Sequence, residues 1–190
     1  MAVQTDVVQT ILRTGDAITV KELMSLPDDG NKYERVKGVL KVTPAGHEQE
    51  YFGIWLATLL TNYVRSRKLG QVYGSNAGYR LPNGDVRAPD VSFVRQERIP
   101  GGRPPKGFAE YAPDLAVEVL SPNQQLQDLG EKVGEFLDWG TPLVWVLDPE
   151  AQSVTVYRSL TEVYTLGSED ELSGEEVIPG FSVRVAELFE

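Results

Sequence analysis

The longest regular pattern in the chain runs from His47 to Lys68, where the pairs Tyr51/Phe52, Trp55/Leu56, Leu59/Leu60 and Tyr63/Val64 return every four residues. That spacing predicts a helix with one stripe against a sheet, ended by Gly70. A shorter helix is predicted after Thr19. There Thr19 and Glu22 form a capping-box pattern, and Val20, Leu23, Met24 and Leu26 continue it up to Pro27 and the turn at 28–30. A third helix begins at Asp128, read as its N-cap, with Leu129, Val133, Phe136 and Leu137 on one side and Gly140 as its stop.

The remaining hydrophobic segments are short. YERVKGVLKV, residues 33–42, alternates about Gly38 and suits two strands with a turn or one bulged strand, followed by a loop at 43–46. QVYGSNAGYRL, VRAPDVSFV and PDLAVEVLS read as three β segments, and LVWVLDP has the unbroken apolar run of a fully buried strand. SVTVYRS and VYTLG continue as a meander, and EVIPGFSVRVAELF closes the chain. The longest connection, the Pro/Gly-rich stretch 99–113, is expected to be mobile and is a candidate substrate-contacting loop. Strands flanked by helices without an internal repeat indicate α/β (α+β) architecture with a mixed β-sheet and additional C-terminal strands. We expect one domain over 19–190 behind a loosely held segment 1–18.

Composition narrows the chemistry. With 41% hydrophobic and 24% charged residues over 190 positions, the chain can bury a core of its own. It contains no cysteine, so thiol nucleophiles, disulfides and Cys-based zinc sites are excluded, and a metal would have to be held by oxygen or by the one histidine. No window approaches a membrane span, and the N-terminus has no basic stretch leading into an apolar one, so no membrane association and a cytoplasmic location are expected. The net charge of −10 argues against a general phosphate-backbone binder. Two positive clusters, Arg65/Arg67/Lys68 and Arg95/Arg98/Arg103/Lys106, read first as solvated surface charge.

One residue breaks the apolar pattern in an informative place. Glu118 lies inside DLAVEVLS, with Val117 and Val119 on the opposite face and Ala116 and Leu120 on its own. A carboxylate in such a run is either on the wet face of an edge strand or points into a site, because buried charge requires a partner or a metal. Asp114 lies four residues away on the same strand, roughly 13 Å, too far to share an ion with it. It is read instead as the turn residue that begins the strand. Asp90, at the start of VSFV, belongs to another strand that can run beside the first. Two such carboxylates with a backbone carbonyl and water make the oxygen-rich site that Mg²⁺ or Mn²⁺ prefers.

Taken in order, YERVKGVLKV, APDVSFV, DLAVEVLSP, DLGEKVGEFLDWG and LVWVLDP resemble the Uma-two group of endonucleases in the PD-(D/E)XK restriction-endonuclease-like superfamily, over about residues 20–190. The resemblance implies a divalent-metal-dependent endonuclease that hydrolyses phosphodiester bonds, with DNA as its nucleic-acid partner. It implies that Asp90 and Glu118 bind the metal, with the Val119 carbonyl as a further ligand. In the superfamily pattern a lysine follows the glutamate by two positions, where this chain has Leu120. Lys132, on the following helix, is the matching residue and by this resemblance would position the attacking water, although a solvated helix lysine is its bland alternative. Glu34 and His47 match a glutamate and a histidine of the group and are candidate ligands or water-orienting groups; a strand surface and a helix start are their structural alternatives. The rival functional classes are a non-catalytic nucleic-acid- or protein-binding module on a nuclease fold, and a homodimer partner.

Overall fold

The structure, a computed structural model, describes residues 12–27, 29–44, 46–121 and 126–190. In chain order the elements are α1 (Val20–Met24), β1 (Asn31–Val36), β2 (Val39–Pro44), α2 (His47–Arg67), β3 (Gly70–Tyr73), β4 (Tyr79–Arg80), β5 (Val86–Arg87) and β6 (Val91–Arg95). They continue with β7 (Leu115–Val119), α3 (Leu126–Asp138), β8 (Leu143–Asp148), β9 (Ser153–Tyr157), β10 (Val163–Leu166), β11 (Glu171–Ser173) and β12 (Ser182–Arg184). The expected mixed sheet is present, with strand order β10-β9-β8-β7-β6-β3. Within it β7 and β8 pair in parallel on either side of α3 in the chain, and the other pairs are antiparallel. A second sheet has the order β2-β1-β5-β4, and β11 pairs with β12. No helix among the described residues is long and apolar enough to cross a membrane.

Strand alternation decides which helix covers which face. Leu115, Val117 and Val119 of β7 pack with Leu143, Trp145 and Leu147 of β8 in the same cluster as Leu56, Leu60 and Val64 of α2. Ala116, Val144 and Val146 point the other way and meet Leu129, Val133 and Phe136 of α3. Glu118, two residues beyond Ala116, therefore faces the α3 side of a central strand. Only one member of most doublets in α2 is buried; Tyr51 and Trp55 stay outside.

The hairpin of β1 and β2 turns through Lys37 (φ 52) and Gly38 (φ 86), both left-handed as a tight two-residue hairpin turn requires. Asp85 fastens that turn to the rest of the molecule, accepting from the Lys37 and Gly38 N–H groups at 2.8 and 3.2 Å and from Arg35 at 3.0 Å. This sets the position of β1, which carries Lys32 and Glu34.

Several expectations need correction. The segment ahead of Thr19 is not loose throughout. Gly15 donates to the Leu40 carbonyl at 2.8 Å, Leu40 donates to Asp16, and Ile18 is buried, so residues 15–18 are tied to β2, while residues 1–11 lie outside the described residues. Helix α3 already includes Leu126, so Asp128 is a first-turn residue bonded to Lys41 at 2.8 Å and not the N-cap. Helix α2 ends at Lys68 (φ 55), where Leu69 N–H returns to the Val64 carbonyl, before Gly70 is reached. Gly70 instead permits close strand pairing, since a Cβ there would come within 2.1 Å of the Val94 carbonyl oxygen. The stretch 99–113 is tied at Ala109 to the β4 segment: Ala109 donates to Gly78 at 3.0 Å and accepts from Arg80 at 2.8 Å.

Candidate active site

Antiparallel pairing sets Val91 of β6 opposite Val117 of β7, and one further step brings Asp90 opposite Glu118. Asp90 is anchored there twice: its N–H donates to the Val117 carbonyl at 2.9 Å, and its Oδ2 accepts from Val119 N–H at 2.8 Å. The strand separation that sequence spacing demanded is thus met by a cross-strand pair.

Lys132 supplies the central cation. It falls on the buried stripe of α3, three residues after Leu129 and four before Phe136, and is itself 6% exposed. Its Nζ donates to the Ala88 carbonyl at 2.9 Å and to Glu118 Oε2 at 2.9 Å, and Glu34 Oε1 faces it at 3.1 Å. These three oxygens match its three N–H groups in number, and a fourth lies within ion-pair distance. Glu118 Oε1 lies 2.8 Å from the same nitrogen but has no hydrogen bond of its own, making it a buried acceptor with spare capacity.

The surrounding charges form a network. Glu34 accepts from Ala88 N–H at 2.8 Å and lies 3.9 Å from the Arg87 guanidinium, which donates to Glu135 at 2.5 Å. Lys32 Nζ lies 2.5 Å from Asp90 Oδ1. Gln49, one turn into α2, donates to both Asp90 Oδ2 (3.2 Å) and the Val119 carbonyl (2.8 Å). Among the described residues Lys32 hydrogen-bonds only to Asp90, so unlike Lys132 it keeps donors free.

Burial and these neighbours separate the carboxylates. Desolvation pushes Glu118 up to about 7, helped by the Asp90 charge and only partly offset by Lys132. Burial acts on Glu34 in the same direction, but Lys132, Lys32 and Arg87 outweigh it and hold that carboxyl at about 2. Burial disfavours the Lys132 ammonium, yet Glu118, Glu34 and Asp90 raise its pKa above the usual lysine value, so it stays charged. With every carboxyl ionised, Asp90, Glu118, Glu34 and Glu135 outnumber Lys32, Arg87 and Lys132 by one charge, and a proton on Glu118 balances the cluster.

Of the residues singled out in the sequence, Asp90, Glu118, Lys132, Glu34 and the Val119 carbonyl are brought together. His47 is not: it is exposed at the first position of α2, and no hydrogen bond or ion pair among the described residues joins it to the cluster. Lys32, Gln49 and Arg87 were missed. The alternation of Lys32 with Glu34 along β1 was the available signal for the first of them.

The donor set suits a hard divalent cation, with carboxylate oxygens from Asp90 and Glu118, the Val119 carbonyl, and a spare buried lone pair on Glu118 Oε1. No group of three or more acidic or histidine side chains is arranged to hold a metal among the described residues, so water would complete the coordination shell, as Mg²⁺ commonly allows.

A central mixed sheet with helices on its faces and a carboxylate–lysine cluster at the end of two central strands defines a nuclease-type α/β fold. The chain resembles a crystal structure described as a putative nuclease of DUF820 from Anabaena variabilis, with a TM-score of 0.78 and 21% identity, covering 90% of this chain and 97% of that one. No curated protein matches. The chain belongs to the Uma2 family, described as "putative restriction endonuclease", which it matches over residues 20–186.

Proposed function

We propose that the protein is a divalent-metal-dependent endonuclease that hydrolyses phosphodiester bonds in DNA. The observation that carries this reading is the meeting of Asp90, Glu118 and the Val119 carbonyl at one end of the β6–β7 pair, with the Lys132 ammonium on Glu118. Family membership supports the nuclease class.

Asp90, Glu118 and the Val119 carbonyl would hold Mg²⁺ or Mn²⁺. A bound divalent ion would supply Lewis acidity toward the phosphate and lower the pKa of water. Hydrolysis places the water's oxygen on phosphorus and protonates the leaving oxygen, and negative charge develops on the phosphoryl oxygens meanwhile. Lys132, with its N–H groups directed at protein oxygens, keeps the Glu118 carboxylate in place and offsets that charge from behind. Glu34 fixes Lys132 in turn. Lys32 has N–H groups to spare and is the cation suited to touch the phosphate or the attacking water.

The net charge of −10 favours a second reading, a non-catalytic nucleic-acid- or protein-binding module. Calorimetric titration of Mn²⁺ into the wild type, Asp90→Asn and Glu118→Gln separates the two. Heat of binding in the wild type that both substitutions abolish, followed by Mn²⁺-dependent nicking of plasmid DNA, is the expected result. A folded wild type that binds no Mn²⁺, or one whose binding ignores both changes, would leave the binding module as the better account.

A further inference from the structure

A cavity of about 440 Å³ opens directly beside the charged cluster, within the usual size of a small-molecule site. The two share a wall. Lys32 lines the cavity while its ammonium sits on Asp90, and Ala88 lines it while its backbone groups bond Glu34 and Lys132. Its lining is rich in aromatic side chains: Tyr33, Tyr73, Tyr79, Phe108 and Tyr111.

The walls are built by close approach of two segments. A Cβ on Gly78 would come within 2.4 Å of the Phe108 ring, and one on Gly107 within 2.6 Å of Met24. Tyr79 is locked by a 2.7 Å hydrogen bond to Ser92, Tyr33 by one to Asp29 and Tyr73 by one to Gln71. Tyr111 differs. It is half-buried, and its hydroxyl has no hydrogen-bond partner among the described residues. Lys106, also on the lining, adds a positive charge at a distance from Lys32 in sequence.

We propose that this cavity receives one unpaired nucleobase of the strand being cut, stacked against Tyr111, so that the substrate is single-stranded or locally opened DNA. This rests on the nuclease reading for its location, since a phosphate held beside Asp90 and Lys32 has its attached nucleoside at the cavity mouth. Every base offers a flat π-face, and aromatic side chains bind it without regard to sequence. The proposal also accounts for a nucleic-acid enzyme with a net charge of −10. Affinity that comes from stacking in a pocket beside two lysines needs no broad basic surface.

The test is binding of a short DNA oligonucleotide carrying 2-aminopurine, in EDTA, so that neither metal nor cleavage enters. Wild type is expected to bind the single strand more tightly than the same sequence in a duplex and to quench the 2-aminopurine emission by stacking. Tyr111→Ala should weaken single-strand binding about 5- to 150-fold, the worth of one base–aromatic stack, and abolish the quench, whereas Tyr111→Phe keeps both. Ala77→Phe fills the cavity from another wall and should act like Tyr111→Ala, so the result does not hang on one variant's folding. Equal affinity for duplex and single strand, or quenching indifferent to both Tyr111→Ala and Ala77→Phe, would overturn the base pocket. Mn²⁺-dependent nicking of duplex DNA that survives those same substitutions would overturn it while leaving the nuclease reading intact. A quench lost in the pocket variants of a protein that cuts no DNA would uphold the pocket and reject the nuclease.

Discussion

The Lys132 ammonium lies 2.8 Å from Glu118 Oε1 and 3.1 Å from Glu34 Oε1, so that one buried cation holds two buried carboxylates from different sheets. Removing it takes the contacting cation from Glu118 and leaves Glu34 with Arg87 at 3.9 Å and the Ala88 N–H. Lys132→Met is expected to cost about 3–5 kcal/mol, the scale for breaking a buried pair, because the methionine neutralises neither carboxylate. Urea denaturation checks this against Lys37→Met, whose ammonium is exposed and, among the described residues, pairs only with Glu131, and which should leave the midpoint in place. Equal midpoints for the two variants would return Lys132 to the solvated-lysine reading.

Glu118 and Glu34 predict opposite responses to pH. A carboxyl raised from 4.5 to about 7 in the fold binds a proton that the unfolded chain has already released, so its contribution to stability falls as pH rises across that window. Glu34, lowered to about 2, contributes stability that is present above 4.5 and is lost only as pH falls toward 2, outside the same window. Metal-free wild type should therefore lose up to about 3 kcal/mol relative to Glu118→Gln between pH 4.5 and pH 8. Urea curves in EDTA across that range measure it, and parallel stability profiles for the two proteins would contradict it.

Much of this cluster is legible in the sequence, for a local reason. Glu118 stands out because its neighbours along one strand are apolar, and Asp90 follows because Asp114 is too far along the same strand. Lys132 is legible in hindsight from the helical spacing of Leu129, Val133 and Phe136, which places it on the buried stripe. Lys32 and Gln49 reach Asp90 across 58 and 41 residues of sequence, and no local pattern reports such a distance. The ends of α2 and α3 were misread because left-handed Lys68 closes α2 where Gly70 was expected to, and α3 already runs from Leu126, which puts Asp128 inside its first turn.

The two Pro-Asp aspartates should separate cleanly by experiment. Asp114 is buried and accepts from Arg95 N–H at 2.9 Å and Arg98 at 2.8 Å, holding the start of β7 to the end of β6. Asp114→Asn is expected to lower stability by about 1–2 kcal/mol through lost charge-assisted hydrogen bonds, with Mn²⁺ affinity unchanged. Asp90→Asn should abolish Mn²⁺ binding. Calorimetry alongside urea denaturation distinguishes the pair, and a loss of Mn²⁺ binding in folded Asp114→Asn would remove Asp90's special standing.

Lys32 places a positive charge on the same Asp90 oxygen pair that a metal would use, 2.5 Å from Oδ1, so ammonium and dication should compete. Without metal, Lys32→Met leaves Asp90 with only the Val119 N–H and Gln49 as partners and should be less stable than wild type. A dication that binds only the folded state stabilises it by RT ln(1 + c/Kd), where c is the free Mn²⁺ concentration, and the variant offers it an uncontested carboxylate. The Mn²⁺-induced rise in melting temperature should accordingly be larger for Lys32→Met than for wild type, even as activity on DNA falls through loss of the free N–H groups. Thermal melts with and without Mn²⁺ measure both halves of the comparison. A rise equal to or smaller than that of wild type would mean that Lys32 supports the metal site instead of competing for it.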